Sequence, residues 1–146
     1  MAKVLILFFS QSGNTAKMAD IVAEGVRGTG AEAVVKDVKE ADVDELLKPD
    51  GIIIGSPTYY GTMAAEIKKY IDDSVKYHGK LVGKVGGAFA SSGGLAGGNE
   101  TTVLDIVKAL LIHGMIIPGN VEGDHYGAVA VGAPDKRSAE DRKSVV

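Results

Sequence analysis

The stretch Ser10-Gln11-Ser12-Gly13-Asn14-Thr15 joins an unbroken apolar run, Val4 to Phe9, to a helical pattern that begins at Ala16. A buried strand that ends in small hydroxyl and amide residues and turns into a helix makes an anion site. The helix N-terminus presents free N–H groups and the positive end of its dipole, and Ser10, Ser12, Asn14 and Thr15 add side-chain donors. Gly13 lets the backbone curl around the guest. The chemistry implied is recognition of a phosphate by neutral donors. Two further stretches share this small, polar character: Ser56-Pro57-Thr58-Tyr59-Tyr60-Gly61-Thr62, and Ser91-Ser92-Gly93-Gly94-Leu95-Ala96-Gly97-Gly98-Asn99.

Several kinds of phosphate chemistry are excluded by residue type. A Walker loop needs a lysine before its helix to reach a triphosphate, and this loop has none. A phospho-receiver site needs acidic residues where Ser10 and Ser56 stand, and Asp50 lies at the wrong end of its strand. With no cysteine in the chain, a cysteine phosphatase, a disulfide and a cysteine-ligated iron–sulfur cluster are all excluded. Gly28-Thr29-Gly30 ends a helix where a dinucleotide fingerprint would open one. No two histidines have metal-ligand spacing. His78 and His113 fall near helix C-termini and read as caps, Tyr70 and Tyr77 read as packing or surface residues, and His125 follows the last strand on the side of the polar loops.

The elements that must position these loops follow from the apolar patterning. Residues 3–9 do not alternate, so they form a strand buried on both faces. Met18, Ile21, Val22, Gly25 and Val26 recur at helical spacing, and Gly28 with Gly30 stops that helix. Residues 33–38 form a more polar, edge-like strand, 42–48 a short helix, and 51–55 a third buried strand. Met63, Ile67, Tyr70 and Ile71 mark a helix running to about His78, and Val82 to Ala90 contains a fourth strand. Val103, Val107, Leu110 and Leu111 mark the next helix, from about Glu100 to His113-Gly114. Met115 to Ile117 is a fifth strand that resumes at Ala128 to Val131. A last helix opens at Pro134-Asp135, with Ser138 and Asp141 spaced like a capping box. At ~9 residues it is short for covering a sheet face, so a natural chain continuing beyond Val146 is expected.

This alternation predicts an α/β fold: one domain over residues 1–146, doubly wound on a five-stranded parallel sheet in the order 2-1-3-4-5. In that order the loops after strands one, three and four meet at the carboxyl edge, and these are the three polar stretches. One ligand site built from three loops accounts for much of an excess of glycine, 20 in 146 residues. The net charge of −3 argues against nucleic-acid binding. Lys3 before six apolar residues superficially resembles a signal peptide, but the run is short and no small-residue cleavage site follows. No stretch reaches the ~20 apolar residues of a membrane span, and a cytoplasmic protein is expected.

Ser10 to Thr15 resembles the FMN-phosphate loop of the flavodoxin superfamily, Ser/Thr-x-Ser/Thr-Gly-Asn-Thr. Ser56 to Met63 is similar to the second flavin loop of the WrbA-type NAD(P)H:quinone oxidoreductases. Ser91 to Gly94, with Gly97-Gly98-Asn99-Glu100-Thr101, is similar to their third loop, so the resemblance covers roughly the first 115 residues. It implies FMN as cofactor, with its phosphate on Ser10, Ser12, Gly13, Asn14 and Thr15. It places Pro57, Thr58, Tyr59, Tyr60 and Gly61 along one edge of the flavin ring. Ser91, Ser92, Gly93, Gly94, Gly97 and Gly98 would bring backbone N–H groups to the pyrimidine end. Between Tyr60 and Gly61 it implies a peptide that turns over when the flavin gains a proton.

Two functions are compatible with that site: an NAD(P)H:quinone oxidoreductase, and a one-electron carrier that docks on redox partner proteins. The net charge is weak for a carrier, and the third loop lacks the aromatic that usually stacks on the ring in dedicated flavodoxins. Against the oxidoreductases, the chain is short after strand five, where they build their tetramer, and Ile112 replaces a histidine beside the flavin. A homo-oligomer is therefore left open.

Overall fold

A computed structural model describes residues 1–135. The first strand, β1 (Lys3–Phe8), buries successive residues on opposite sides of the sheet: Leu5 and Leu7 join one core, Ile6 the other. The third strand, β3 (Gly51–Tyr59), repeats this with Ile52 and Ile54 against Ile53, and β5 (Val85–Ser92) with Ala88 and Ala90 against Phe89. Burial on both faces is why these runs do not alternate.

Helix α1 (Asn14–Gly28) covers one face with Met18, Val22 and Val26. The other face is covered by α2 (Ala65–Asp73) and α3 (Asn99–Ile112), through Ile67, Val103, Ile106 and Leu110. Leu111, expected on the buried face of α3, is 53% exposed, and Ile106 takes the core position. The short element after β2 (Glu32–Asp37) is a single 3₁₀ segment, Val43–Leu47, not an α-helix. Its capping box is complete: Asp42 accepts from the Asp44 N–H at 3.0 Å, and Glu45 accepts from the Asp42 N–H at 3.2 Å.

Strand β2 lies on the outer edge, as its polarity suggested, and is held to β1 in register from Lys3↔Glu32 to Phe8↔Asp37. The order across the sheet is β2-β1-β3-β5-β6, where β6 is Ala128–Val131. Setting aside the short β4 (Thr62–Met63), this is the expected 2-1-3-4-5 order, all parallel. The fifth line is interrupted as expected. Ile116 makes one bridge to Val85, the chain then leaves the sheet, and β6 resumes beside Phe89 to Ser92.

Six strands replace the expected five because β3 runs on through the second polar stretch and folds back on itself. Thr58 pairs with Met63 and Tyr59 with Thr62, antiparallel. The pattern-based boundary at Gly55 missed this because Ser56, Pro57 and Thr58 are neither apolar nor alternating. Gly55 has its own packing reason: a Cβ there would sit 2.0 Å from the Phe89 ring. The helix expected beyond Pro134-Asp135 lies outside the described residues.

His113, read above as a cap, is buried just after α3 with its Nε2 2.8 Å from the Ser74 hydroxyl. That hydroxyl donates to the Ile71 carbonyl at 2.5 Å, so the ring donates from Nε2 and leaves Nδ1 buried with no partner among the described residues. Burial first, and the neighbouring His78 ring second, hold the His113 pKa below the ordinary 6.5. The unfolded chain therefore binds this proton first as pH falls. Stability is unaffected by His113 above pH 6.5 and declines below it. His113→Gln retains a side-chain donor but cannot titrate. Thermal melts from pH 7 to about pH 5 will show a smaller loss of Tm for this variant than for the wild type.

Candidate functional site

The loops after β1, β3 and β5 converge on a cleft of about 450 Å³ at the carboxyl edge of the sheet. One wall comes from the first loop and the start of α1: Ser12, Asn14 and Thr15 line it. Gly13 is the N-cap, with φ +98°, and no side chain caps the helix. The first intrahelical bond runs from the Lys17 N–H to the Gly13 carbonyl at 3.1 Å, leaving the N–H groups of the first turn for an external acceptor. No acidic residue stands in that turn, so nothing offsets the positive end of the dipole. The donor set fits a phosphate.

The other walls are Pro57, Thr58 and Tyr59 from β3, and Ser91, Ser92 and Gly93 from the end of β5. Gln11 also lines the cleft and was not among the expected site residues. Its side-chain oxygen accepts from the Tyr59 hydroxyl at 3.0 Å, bridging the first and second loops. Only its position inside the loop signalled it, since its role depends on a partner 48 residues away.

The remaining expected residues shape the loops from outside the cleft lining. Ser10 accepts from the Gly13 N–H at 3.1 Å and closes the first loop on itself. Tyr60 and Gly61 form the two-residue turn of the β3–β4 hairpin, with φ of +49° and +78°. Two consecutive positive φ values mark a primed turn, whose twist matches that of the flanking strands. Gly94 accepts from the Ser92 hydroxyl at 3.0 Å and from the Gly97 N–H at 3.1 Å, so the third loop is a tight internal turn. Gly98 touches the hairpin: a Cβ there would lie 2.8 Å from the Gly61 Cα.

Buried hydroxyls and one amide tie the loops together. Thr15 and Ser91 share a hydrogen bond of 2.8 Å beneath the cleft. Asn99, buried at the start of α3, donates to the Ser92 hydroxyl at 3.0 Å and to the Ala130 carbonyl at 3.2 Å. Its oxygen faces the Thr58 hydroxyl at 3.4 Å, and Thr102 lies 3.0 Å from the same hydroxyl. Ser56 receives the Ala64 N–H at 2.9 Å and donates to the Pro57 carbonyl at 2.8 Å, fixing the base of the hairpin.

A larger groove of about 510 Å³ lies between the end of β2 and α2. Two of its lysines are paired, Lys69 with Asp73 at 2.8 Å and Lys76 with Asp44 at 2.7 Å. The helix start beside it, that of α2, carries an acidic residue, Glu66, in its first turn, whereas that of α1 carries none, so the smaller cleft is the better anion site. Tyr70 is a packing residue, with its hydroxyl on the Asp42 carbonyl at 3.0 Å, and burial raises its pKa. Tyr77 donates to the Asp44 carboxylate at 2.5 Å on the surface. His125 lies in a separate cavity of about 150 Å³ with Glu100 and Tyr126, its Nδ1 2.7 Å from the Asn120 carbonyl. Among the described residues no group of three metal-ligating side chains gathers.

A family model described as a flavodoxin domain matches residues 5–108. The chain belongs to the flavodoxin family. It is 40% identical to a flavodoxin of Aquifex aeolicus, an alignment covering 99% of this chain and 81% of that one. It is 43% identical to an NAD(P)H dehydrogenase (quinone) of Sinorhizobium fredii over 82% of this chain and 71% of that one. Among solved structures it is similar to a WrbA-like flavodoxin from Agrobacterium tumefaciens, with a TM-score of 0.83, 26% identity, and coverage of 98% and 91%. No helix among the described residues is long and apolar enough to cross a membrane.

Replacing Asn99 with leucine keeps the volume and strands the Ser92, Ala130 and Thr58 groups around it. Asn99→Leu is expected to lower unfolding free energy by about 2–3 kcal/mol in urea, with the m-value unchanged.

Proposed function

We propose that the cleft binds FMN and that the chain is an electron-transfer flavoprotein of the NAD(P)H:quinone oxidoreductase type. The observation that carries this is the uncapped N-terminus of α1, ringed by neutral donors and opening into a cleft walled by the hairpin and the third loop. Ser10, Ser12, Gly13, Asn14 and Thr15 hold the phosphate. Pro57, Thr58, Tyr59, Tyr60 and Gly61 flank the ring on one side. Ser91, Ser92, Gly93, Gly94, Gly97 and Gly98 present backbone to its polar end. The bound flavin supplies reversible storage of electrons, and the residues around it orient it and exclude water from one edge.

The family relatives carry both names, flavodoxin and quinone dehydrogenase. The oxidoreductase reading is favoured by the third loop, Gly93 to Gly98, which has no aromatic side chain to cover the cleft. That leaves room for a flat substrate, a nicotinamide or a quinone, to approach. The second reading, a carrier docking on a redox partner protein, is kept by the similarity to the Aquifex flavodoxin. In either case the whole chain, 1–146, acts as one cytoplasmic flavin-binding domain, and a homo-oligomer is compatible with the enzyme.

The anchor is tested by charge. Asn14→Asp puts a carboxylate beside the phosphate, so FMN affinity, read by fluorescence quenching, is expected to fall at least about tenfold while riboflavin affinity stays near wild type. An equal loss for both ligands would move the phosphate elsewhere. A redox titration separates the two readings. One two-electron wave together with quinone-dependent NAD(P)H oxidation supports the enzyme. Two resolved one-electron waves, with no turnover from either donor, support the carrier.

A further inference from the structure

The β3–β4 hairpin is an unusual wall for a binding cleft because it has too little ladder to hold itself. Only two residue pairs join its arms, and a two-stranded ribbon of that length is unstable alone. Its turn is also costly. Tyr60 adopts a left-handed φ of +49° with its side chain fully exposed, so no packing of its own ring keeps it there. The hairpin must be held from outside.

The hold comes from α3. The Thr101 hydroxyl lies 2.5 Å from the Gly61 carbonyl, and one turn further along the helix Asp105 accepts from the Thr62 hydroxyl at 2.6 Å. The same Thr101 hydroxyl is 2.9 Å from the Gly98 carbonyl, so capping its own helix is the competing role. That carbonyl is served without it, by the Thr102 N–H at 3.0 Å. The shorter contact is the one to Gly61, and the bare backbone of Gly98 lets the helix start approach the turn closely enough to make it.

We infer that Thr101 is a positioning residue: its hydroxyl clamps the Tyr60–Gly61 turn to α3 and so fixes the hairpin wall of the cofactor cleft. Thr58 and Tyr59, which line the cleft, sit on the arm that this clamp immobilises. A wall fixed before the ligand arrives spares the ordering cost at binding, so the clamp favours affinity without touching the ligand. The inference rests on the flavin reading for its consequence, but not for the clamp itself.

The test compares Thr101→Val, which keeps the shape and removes the donor, with Thr101→Ser, which keeps the donor. In the apoprotein, amide hydrogen exchange at Tyr59 and Thr62, the pair that closes the turn, is expected to quicken at least about fivefold in Thr101→Val and to stay near wild type in Thr101→Ser. The FMN Kd is expected to rise about five- to tenfold in Thr101→Val and to be restored in Thr101→Ser. Wild-type exchange and wild-type Kd in Thr101→Val would overturn the clamp. So would a Thr101→Ser variant as impaired as the valine, which would assign the effect to the methyl group. A wild-type protein that does not bind FMN would overturn the flavin reading instead, and the exchange arm would still decide the clamp.

Discussion

Asn99 is where the carboxyl edge of the sheet is held together. One buried side chain meets β5 through Ser92, β6 through the Ala130 carbonyl, and the β3 arm of the hairpin through Thr58. A buried amide is tolerable only when its donors and acceptor are all answered, and then it specifies one arrangement of its neighbours. The cleft inherits that arrangement. Thr15 and Ser91 extend it to α1, so the helix with the uncapped start and the strand that offers the opposite wall are coupled by a direct bond.

The same edge gathers helix N-termini because every crossover in a parallel sheet returns the chain to the amino side before the next strand. Helices α1 and α3 both begin there, both at a left-handed glycine, and neither has a side-chain cap. They are nevertheless used differently. The first turn of α1 faces the cleft. The start of α3 is committed to structure, with Asn99, Thr101 and Thr102 all bonded to the hairpin or to strand ends. Of two similar helix starts, one is left open to the cleft and the other builds the wall opposite.

Much of this was legible before the fold was known, and the reasons differ by element. The buried strands announced themselves because both faces are covered, so Leu5, Ile6 and Leu7 read as one apolar run. The turn from Ser10 to Thr15 into α1 was legible because it is made of local backbone, and local backbone is written in adjacent residues. The hairpin was not. Its pairing runs through Ser56, Pro57 and Thr58, which no strand pattern favours, and its turn places Tyr60 where Asn or Gly is usual. Ser91 and Ser92 read as loop because their strand partners, Ala130 and Val131, arrive from 39 residues later in the register. Gln11 and Thr101 gain their roles from partners far along the chain, and single-residue chemistry carries no sign of that.

The outer strand β2 is written in charge as much as in apolar residues. Lys3 reaches Glu32 at 3.0 Å, and Lys36 reaches Glu45 of the 3₁₀ segment at 2.5 Å. These pairs add little to stability at the surface, but they change what the edge can join. A strand arriving from another molecule would meet lysine and carboxylate side chains before it met free backbone groups. Charged side chains on this flank therefore disfavour zipping the sheet of one copy onto that of another.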